Sequence, residues 1–409
     1  MEGQAITAPR MVLNGKADPS RLYGAPMDEV LNPANFDIAR TAITAWPGYA
    51  PTPLVGLSGL ASHTGVAALH YKDEAGRFEL GSFKALGGAY AVARLLCREV
   101  AARTGATDVT IADILAGRHA AAVADITVCC ATDGNHGRSV AWGARMFGCR
   151  CVIYIHATVS EGRKAAIEAY GAEVVRTSVN YDDSVRLAQE TADREGWFVV
   201  SDTSYEGYLE IPKDVMQGYS LIASEAMDQL PYAGPPTHLF LQTGVGALAA
   251  AVCAEFWQRY GAERPRTVLA DPDRSACWFE SIEAGRPTAV QGDLDTIMAG
   301  LACGEVSWLA WDILEVGADA VVAVSDAEAE AAMRLLAEGP YGDAPLVAGE
   351  SAVAGLAAFL AVAGDDAARA RIGLGPDSRV MLVGTEGDTD PDLYRKIVGR
   401  SADAVRRSA

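Results

Sequence analysis

The 409-residue sequence is short of several things, and each shortage excludes a class of protein. It has no run of about 18 apolar residues, so no membrane-spanning helix is expected. Its first residues, Met1-Glu2-Gly3-Gln4, lack a basic region ahead of an apolar core, so no secretory signal is expected. Basic residues are few. The 34 Lys and Arg stand against 53 Asp and Glu, a net charge of −19, which argues against nucleic acid and anionic membranes as partners. None of the eight cysteines has the paired CxxC spacing of a zinc site, so no metal is expected. Most sit in apolar strand or helix contexts and read as free thiols of a cytoplasmic protein; a Cys277–Cys303 pair is the alternative. Internal repeats and low-complexity segments are also missing.

What is present is an enzyme-sized globular composition, 50% hydrophobic and 21% charged, enough to bury a large core. Residues 1–50 are mixed, with no strong period. Val66–Lys72 reads as a strand and 85–103 and 107–117 as helices. From there strands and helices alternate: strands at 126–130, 151–155, 172–175 and 197–200, helices at 139–145, 161–170 and 181–195. A helix over 213–229 follows, then strands at 237–241 and near 266–270, 319–324 and 379–383. Short strands joined by longer helices signal βαβ units and a parallel sheet. The expected fold is α/β, with two lobes that each hold a mostly parallel sheet flanked by helices. The larger lobe is expected from 1–90 with 205–409 and the smaller from 91–204. Ligands of such sheets bind at the carboxyl ends of the strands.

Four stretches carry chemistry. In Gly81-Ser-Phe-Lys84-Ala-Leu-Gly-Gly-Ala-Tyr90 one lysine opens a helix between Phe83 and Leu86. Desolvation and the backbone N–H groups there favour the neutral, nucleophilic amine over the ammonium. A lysine snorkelling from a packed helix start is the plainer alternative. Ala131-Thr132-Asp133-Gly134-Asn135-His136-Gly137 is a polar loop between a strand and a helix, a seat for a carboxylate with Asp133 beside it as a base, or an ordinary capped turn. Gln242-Thr-Gly244-Val245-Gly246-Ala247-Leu248-Ala249 is a glycine loop before a helix, suited to phosphate. It also satisfies the dinucleotide fingerprint, with Asp271 placed to meet a ribose. Gly384-Thr385-Glu-Gly-Asp-Thr389 ends a strand, with Thr385 able to face a ring nitrogen.

Together these pieces resemble the fold-type II pyridoxal-phosphate enzymes. Within that group the chain is most similar to the diaminopropionate ammonia-lyases. The likeness rests on Gly81–Tyr90, Thr132–Arg138, Ser201-Asp202-Thr-Ser-Tyr-Glu-Gly-Tyr208 with Ile211-Pro212 and Met216-Gln-Gly-Tyr219, Gly300–Glu305, and Thr385–Pro391. Five separated motifs in order outweigh one dinucleotide fingerprint. The resemblance implies that Lys84 carries pyridoxal 5'-phosphate and that Asn135 contacts its ring hydroxyl. It assigns the phosphate to the backbone of Gly244, Val245, Gly246, Ala247 and Leu248, and the ring nitrogen to Thr385. Thr132, Asn135 and His136 would seat the substrate carboxylate. Asp202 would take the Cα proton of an L substrate and Asp133 that of a D substrate, because the family accepts both enantiomers. Glu350-Ser351 looks like the family's Gly-Glu-Ser segment, although Ala352 replaces its usual glycine. The implied activity is elimination of ammonia from 2,3-diaminopropionate, a small amino-acid substrate, by a homodimer. A β-eliminating or β-replacing enzyme for another amino acid, a dinucleotide-dependent oxidoreductase and a non-catalytic binding protein are the alternatives.

Overall fold

The computed structural model describes residues 8–132, 134–157, 159–178 and 181–408. Two compact units emerge: the chain up to Val30 with Pro51–Gly76 and everything from Ile222 on, and Leu31–Ala50 with Arg77–Leu221. The expected boundaries therefore shift. Residues 31–50, 77–90 and 205–221 pack with the smaller unit, not the larger.

The larger unit is built on seven strands: β1 (Met11–Leu13), β2 (Leu54–Gly56), β3 (Ala68–Asp73), and, later in the chain, β8 (His238–Gln242), β9 (Arg266–Pro272), β10 (Ala320–Val324) and β11 (Arg379–Gly384). Their order across the sheet is β1-β10-β9-β8-β11-β3-β2. The inner pairs are parallel, while β1 on β10 and β2 on β3 are antiparallel edges. Inner strands such as His238-Leu-Phe-Leu-Gln242 and Ala320-Val-Val-Ala-Val324 are buried along their whole length. That explains their unbroken apolar runs, since helices cover both faces of a parallel sheet. A buried knot lies beside β3. Lys72 Nζ donates to the Thr52 carbonyl at 2.6 Å and to Glu225 at 2.7 Å, and the Thr52 hydroxyl donates to Glu74 at 2.5 Å.

The smaller unit holds four parallel strands: β4 (Thr127–Ala131), β5 (Arg150–Ile155), β6 (Glu173–Arg176) and β7 (Phe198–Val199), ordered β6-β5-β4-β7. The helix Lys84–Thr104 packs on the helix Asn135–Phe147. Glycine makes this close approach possible: a Cβ on Gly143 would lie 2.8 Å from Ala89 Cα, and one on Gly88 2.2 Å from Ser139 Oγ. This packing explains why the lysine stretch joins the smaller unit.

Residues 1–50 hide a helix, Pro33–Thr44, that the mixed composition does not announce. Asn32 caps it by accepting from the Asn35 N–H, and Pro33 fills its first turn. It buries Phe36, Ala39 and Ile43, and Trp46 beyond it joins an aromatic cluster with Phe78, Trp142 and Phe147. The expected 107–117 helix shortens to Ile111–Leu115, and a separate short helix, Ala120–Ala124, follows it. Among the described residues no helix is long and apolar enough to cross a membrane, and no His, Cys, Asp and Glu cluster could hold a metal ion.

Candidate active site

In the smaller unit, Lys84 is the first residue of its helix, and its carbonyl accepts from the Ser139 hydroxyl at 2.7 Å. Its amine lies 2.5 Å from Asp202 Oδ2. A carboxylate this close favours the ammonium of the unmodified lysine. The sequence expectation of a neutral amine missed this, because Asp202 is 118 residues away in the chain. Burial raises the proton affinity of Asp202, but the Lys84 charge, His136 and the hydrogen bond from Lys84 outweigh it and hold the carboxyl below the usual range.

Tyr208 positions Asp202. The chain leaves β7, turns at Tyr205–Tyr208 with Gly207 at φ +82°, and brings the Tyr208 ring back. The Tyr208 hydroxyl accepts from the Ser201 N–H at 2.9 Å and donates to the Val199 carbonyl at 2.8 Å. It thus fixes the backbone on the N-terminal side of Asp202.

The polar motif after β4 is shorter as a loop than expected. The helix begins at Asn135, so Asn135 and His136 occupy its first turn. Thr132 Oγ1 accepts from the N–H groups of Gly134 (3.1 Å) and Gly137 (3.2 Å), which draws the helix start back toward the strand. Gly137 is needed for this closeness, since a Cβ there would lie 2.3 Å from Thr132 Cγ2. Asp133, the expected base for a D substrate, lies outside the described residues. His136 places Nε2 2.8 Å from the Val200 carbonyl, which can only accept, so Nε2 carries the hydrogen. Its Nδ1 stands 3.9 Å from Asp202, and burial lowers the proton affinity of the ring despite that carboxylate. A neutral His136 has no second N–H to offer a substrate carboxylate. Its geometry makes it a neighbour of Asp202, a role the motif alone did not suggest.

In the larger unit, β8 runs into Thr243-Gly244-Val245-Gly246, and the helix Ala247–Tyr260 follows. Gly246 caps that helix at φ +98°, and a Cβ on it would lie 2.2 Å from Trp278. The loop is braced from behind. Trp278 Nε1 donates to the Gly244 carbonyl at 3.0 Å, and the Ser307 N–H donates to the Val245 carbonyl at 2.9 Å. Asp271 is wholly buried, accepting from the Thr243 hydroxyl (2.5 Å) and from the N–H groups of Trp278 (2.7 Å) and Phe279 (3.0 Å). Burial pushes its carboxyl up to about 7, against those hydrogen bonds. Asp271 is therefore part of the loop's foundation and does not present itself to a ribose. That removes the acidic residue the dinucleotide reading needs.

Thr385 follows β11 and is 4% exposed. Gln242 Nε2 donates to its hydroxyl oxygen at 3.0 Å and to the Val383 and Ala352 carbonyls at 2.8 and 3.2 Å. With its oxygen accepting from Gln242, the Thr385 hydroxyl has its own hydrogen to give, which suits an unprotonated ring nitrogen. Glu350 is buried, Ser351 Oγ accepts from the Gly300 N–H, and Glu386 accepts from the Ser351 N–H. Gln242 and Tyr208 lie inside the recognised motifs but carried no expected role, and Trp278 is a supporting residue without a recognisable sequence signal. Cys277 and Cys303 are free thiols, as are the other six cysteines.

The residues fit pyridoxal phosphate: an amine at a helix start, a glycine loop at another helix start whose Cβ positions are occupied, and a hydroxyl with a hydrogen to donate. The comparisons agree. The model of pyridoxal-phosphate dependent enzymes matches residues 45–386. The diaminopropionate ammonia-lyase of Escherichia coli K12 is 38% identical over 393 residues, 94% of this chain and 96% of its own. The crystal structure of the holo E. coli diaminopropionate ammonia lyase is 35% identical, with a TM-score of 0.85 over 96% of this chain and 98% of that one. A second E. coli structure, in complex with an aminoacrylate-PLP azomethine reaction intermediate, is 36% identical with a TM-score of 0.83, covering 95% and 96%. The chain belongs to the pyridoxal-phosphate dependent enzymes, with the fold-type II architecture and pyridoxal 5'-phosphate as its cofactor.

Proposed function

We propose that this enzyme eliminates ammonia from 2,3-diaminopropionate, in the D form, the L form or both, to give pyruvate and ammonia. The observation that carries the reading is the Lys84–Asp202 pair at 2.5 Å, a nucleophile and a proton acceptor side by side. The close relatives named for this reaction support the choice of substrate.

Lys84 would hold the cofactor. Asn135 would meet its ring hydroxyl, the backbone from Gly244 to Leu248 its phosphate, and Thr385 its ring nitrogen. Bound there, pyridoxal phosphate supplies a sink for the electron pair left at Cα. A hydroxyl at the ring nitrogen leaves that sink moderate, which suits prompt loss of a β-substituent. Thr132 and Asn135 would seat the substrate carboxylate, with the neutral His136 ring standing beside Asp202. Asp202 takes the Cα proton of the L form and Asp133 that of the D form. The Lys84 nitrogen, 2.5 Å from Asp202, can receive the proton Asp202 has taken. The β-amine leaves as ammonia, and the released aminoacrylate hydrolyses to pyruvate and a second ammonia. We further propose a homodimer in the cytoplasm, a reducing compartment being in keeping with eight free cysteines.

The test is a pyruvate assay on purified D- and L-diaminopropionate beside serine, threonine and β-chloroalanine, with the mass of the borohydride-reduced protein. The reading expects a cofactor adduct on Lys84 and turnover highest on diaminopropionate. Faster turnover of serine or threonine, or an adduct elsewhere, overturns it.

A further inference from the structure

The helix Glu210–Gln229 contains Met216-Gln-Gly-Tyr219, and Tyr219 is fully buried in the smaller unit. Its hydroxyl finds no hydrogen-bond partner among the described residues. A buried phenol left so is costly, which a fold does not bear at random. The Lys84 amine lies 5.9 Å from the centre of the Tyr219 ring and 5.3 Å from that of Phe83, and the two rings are 4.7 Å apart. Burial raises the proton affinity of the phenol, and the nearby Lys84 charge only partly offsets this, so Tyr219 keeps its proton.

Three features hold the ring where it is. Gly87, one helical turn beyond Lys84, makes room for it: a Cβ there would lie 2.5 Å from Tyr219 Cε1. Gly218 lets the two helices touch, for its Cβ would lie 2.1 Å from the Leu86 carbonyl oxygen. Asp214, on the same helix as Tyr219, accepts from Arg94 Nε (3.3 Å) and Arg98 Nη1 (2.7 Å) on the lysine helix. The phenol and the amine thus ride on helices locked by two glycines and a twofold ion pair.

We propose that Tyr219 is a positioning residue for Lys84, its hydroxyl being the partner that holds the lysine nitrogen whenever Asp202 releases it. An O–H suits both protonation states: the ammonium donates to the phenol oxygen, and the neutral amine accepts from the phenol hydrogen. Asp202 cannot serve throughout, because it weakens as an acceptor once it has taken a proton. The proposal rests on Lys84 carrying the cofactor but not on which amino acid is consumed.

The full-length enzyme is stripped of cofactor, and pyridoxal phosphate uptake is followed by the appearance of its lysine-bound chromophore. Tyr219→Phe removes one oxygen and keeps the ring against Gly87, so its melting temperature should match the parent's. Its uptake is expected to slow about tenfold, and kcat to fall about tenfold with KM within twofold, in keeping with loss of one hydrogen bond to a charged group. Gly87→Ala displaces the ring while leaving the hydroxyl, and should slow uptake likewise. Parent-like uptake and kcat in Tyr219→Phe overturn the role of Tyr219. A parent protein that takes up no chromophore overturns the reading of Lys84 instead.

Discussion

The two units carry their candidate residues in opposite styles. On the proposed reading the smaller one would supply side chains that change partners or protons, Lys84, Asp202 and Tyr219 with His136 beside them, drawn from three helices and one loop. The larger one offers a backbone loop and a hydroxyl braced from behind by hydrogen bonds and close packing. Asp271 has both oxygens occupied, Gln242 donates to three acceptors, and Trp278 fills the space a side chain at Gly246 would need. Gripping a phosphate asks for fixed N–H groups and repays rigidity. Moving a proton asks for groups whose charge can change, which solvation and neighbours must tune.

If that division is real, variants in the two units should fail differently. The largest effect belongs to Lys84→Ala, expected to lose at least about a thousandfold in turnover together with the adduct mass. Next is Asp202→Asn, expected to lower kcat on L-diaminopropionate about a hundredfold or more while cofactor affinity stays near the parent's. Assaying each enantiomer separately checks it, and a drop confined to the D form would reverse the assignment. Gly246→Ala should do the reverse, weakening pyridoxal phosphate binding about ten- to a hundredfold by overpacking against Trp278. Equilibrium titration of the stripped enzyme measures that. Tyr208→Phe removes the clamp on the Asp202 loop and should cost about fivefold in kcat, with phosphate affinity untouched.

The smallest effect is on stability. The folded-state proton affinity of Asp271 is raised to about 7, so the native chain binds this proton more tightly than the unfolded chain does. Its contribution is present below about pH 4 and is lost as the pH rises toward 7. Melting temperatures across that window should fall less steeply in Asp271→Asn than in the parent, even if the variant starts lower. An unchanged slope would mean that other groups set the trend.

Much of this was legible in the chain itself. The alternating strands and helices stand near their expected places, and the glycine loop and Thr385 sit at strand ends. Lys84 opens its helix as the small residues after it suggested. What stayed hidden was tertiary. Nothing local marks Asp202 as the neighbour of Lys84, and hydrogen bonding through Tyr208 depends on a turn that folds the chain back on itself. Asp271 shows the opposite hazard. Its spacing suits a ribose, yet the fold spends it on Thr243, Trp278 and Phe279. The Pro33–Thr44 helix escaped because its three buried residues are diluted by polar and small ones, although Asn32-Pro33 is a recognisable start signal.

The knot around Lys72 bears on how such a chain is assembled. Thr52, Glu74 and Glu225 lie within three residues or so of places where the chain passes from one unit to the other, at 50/51, 76/77 and 221/222. Thr52 donates to both glutamates, through its hydroxyl at 2.5 Å and its N–H at 3.2 Å. The stretch from 77 to 221 therefore departs from and returns to nearly one spot of the larger unit, and residues 31–50, the smaller unit's other segment, end there too. A linker from Gly76 to Ile222 would bridge that spot, but isolating the larger unit for permutation or domain exchange also takes a joint between Val30 and Pro51.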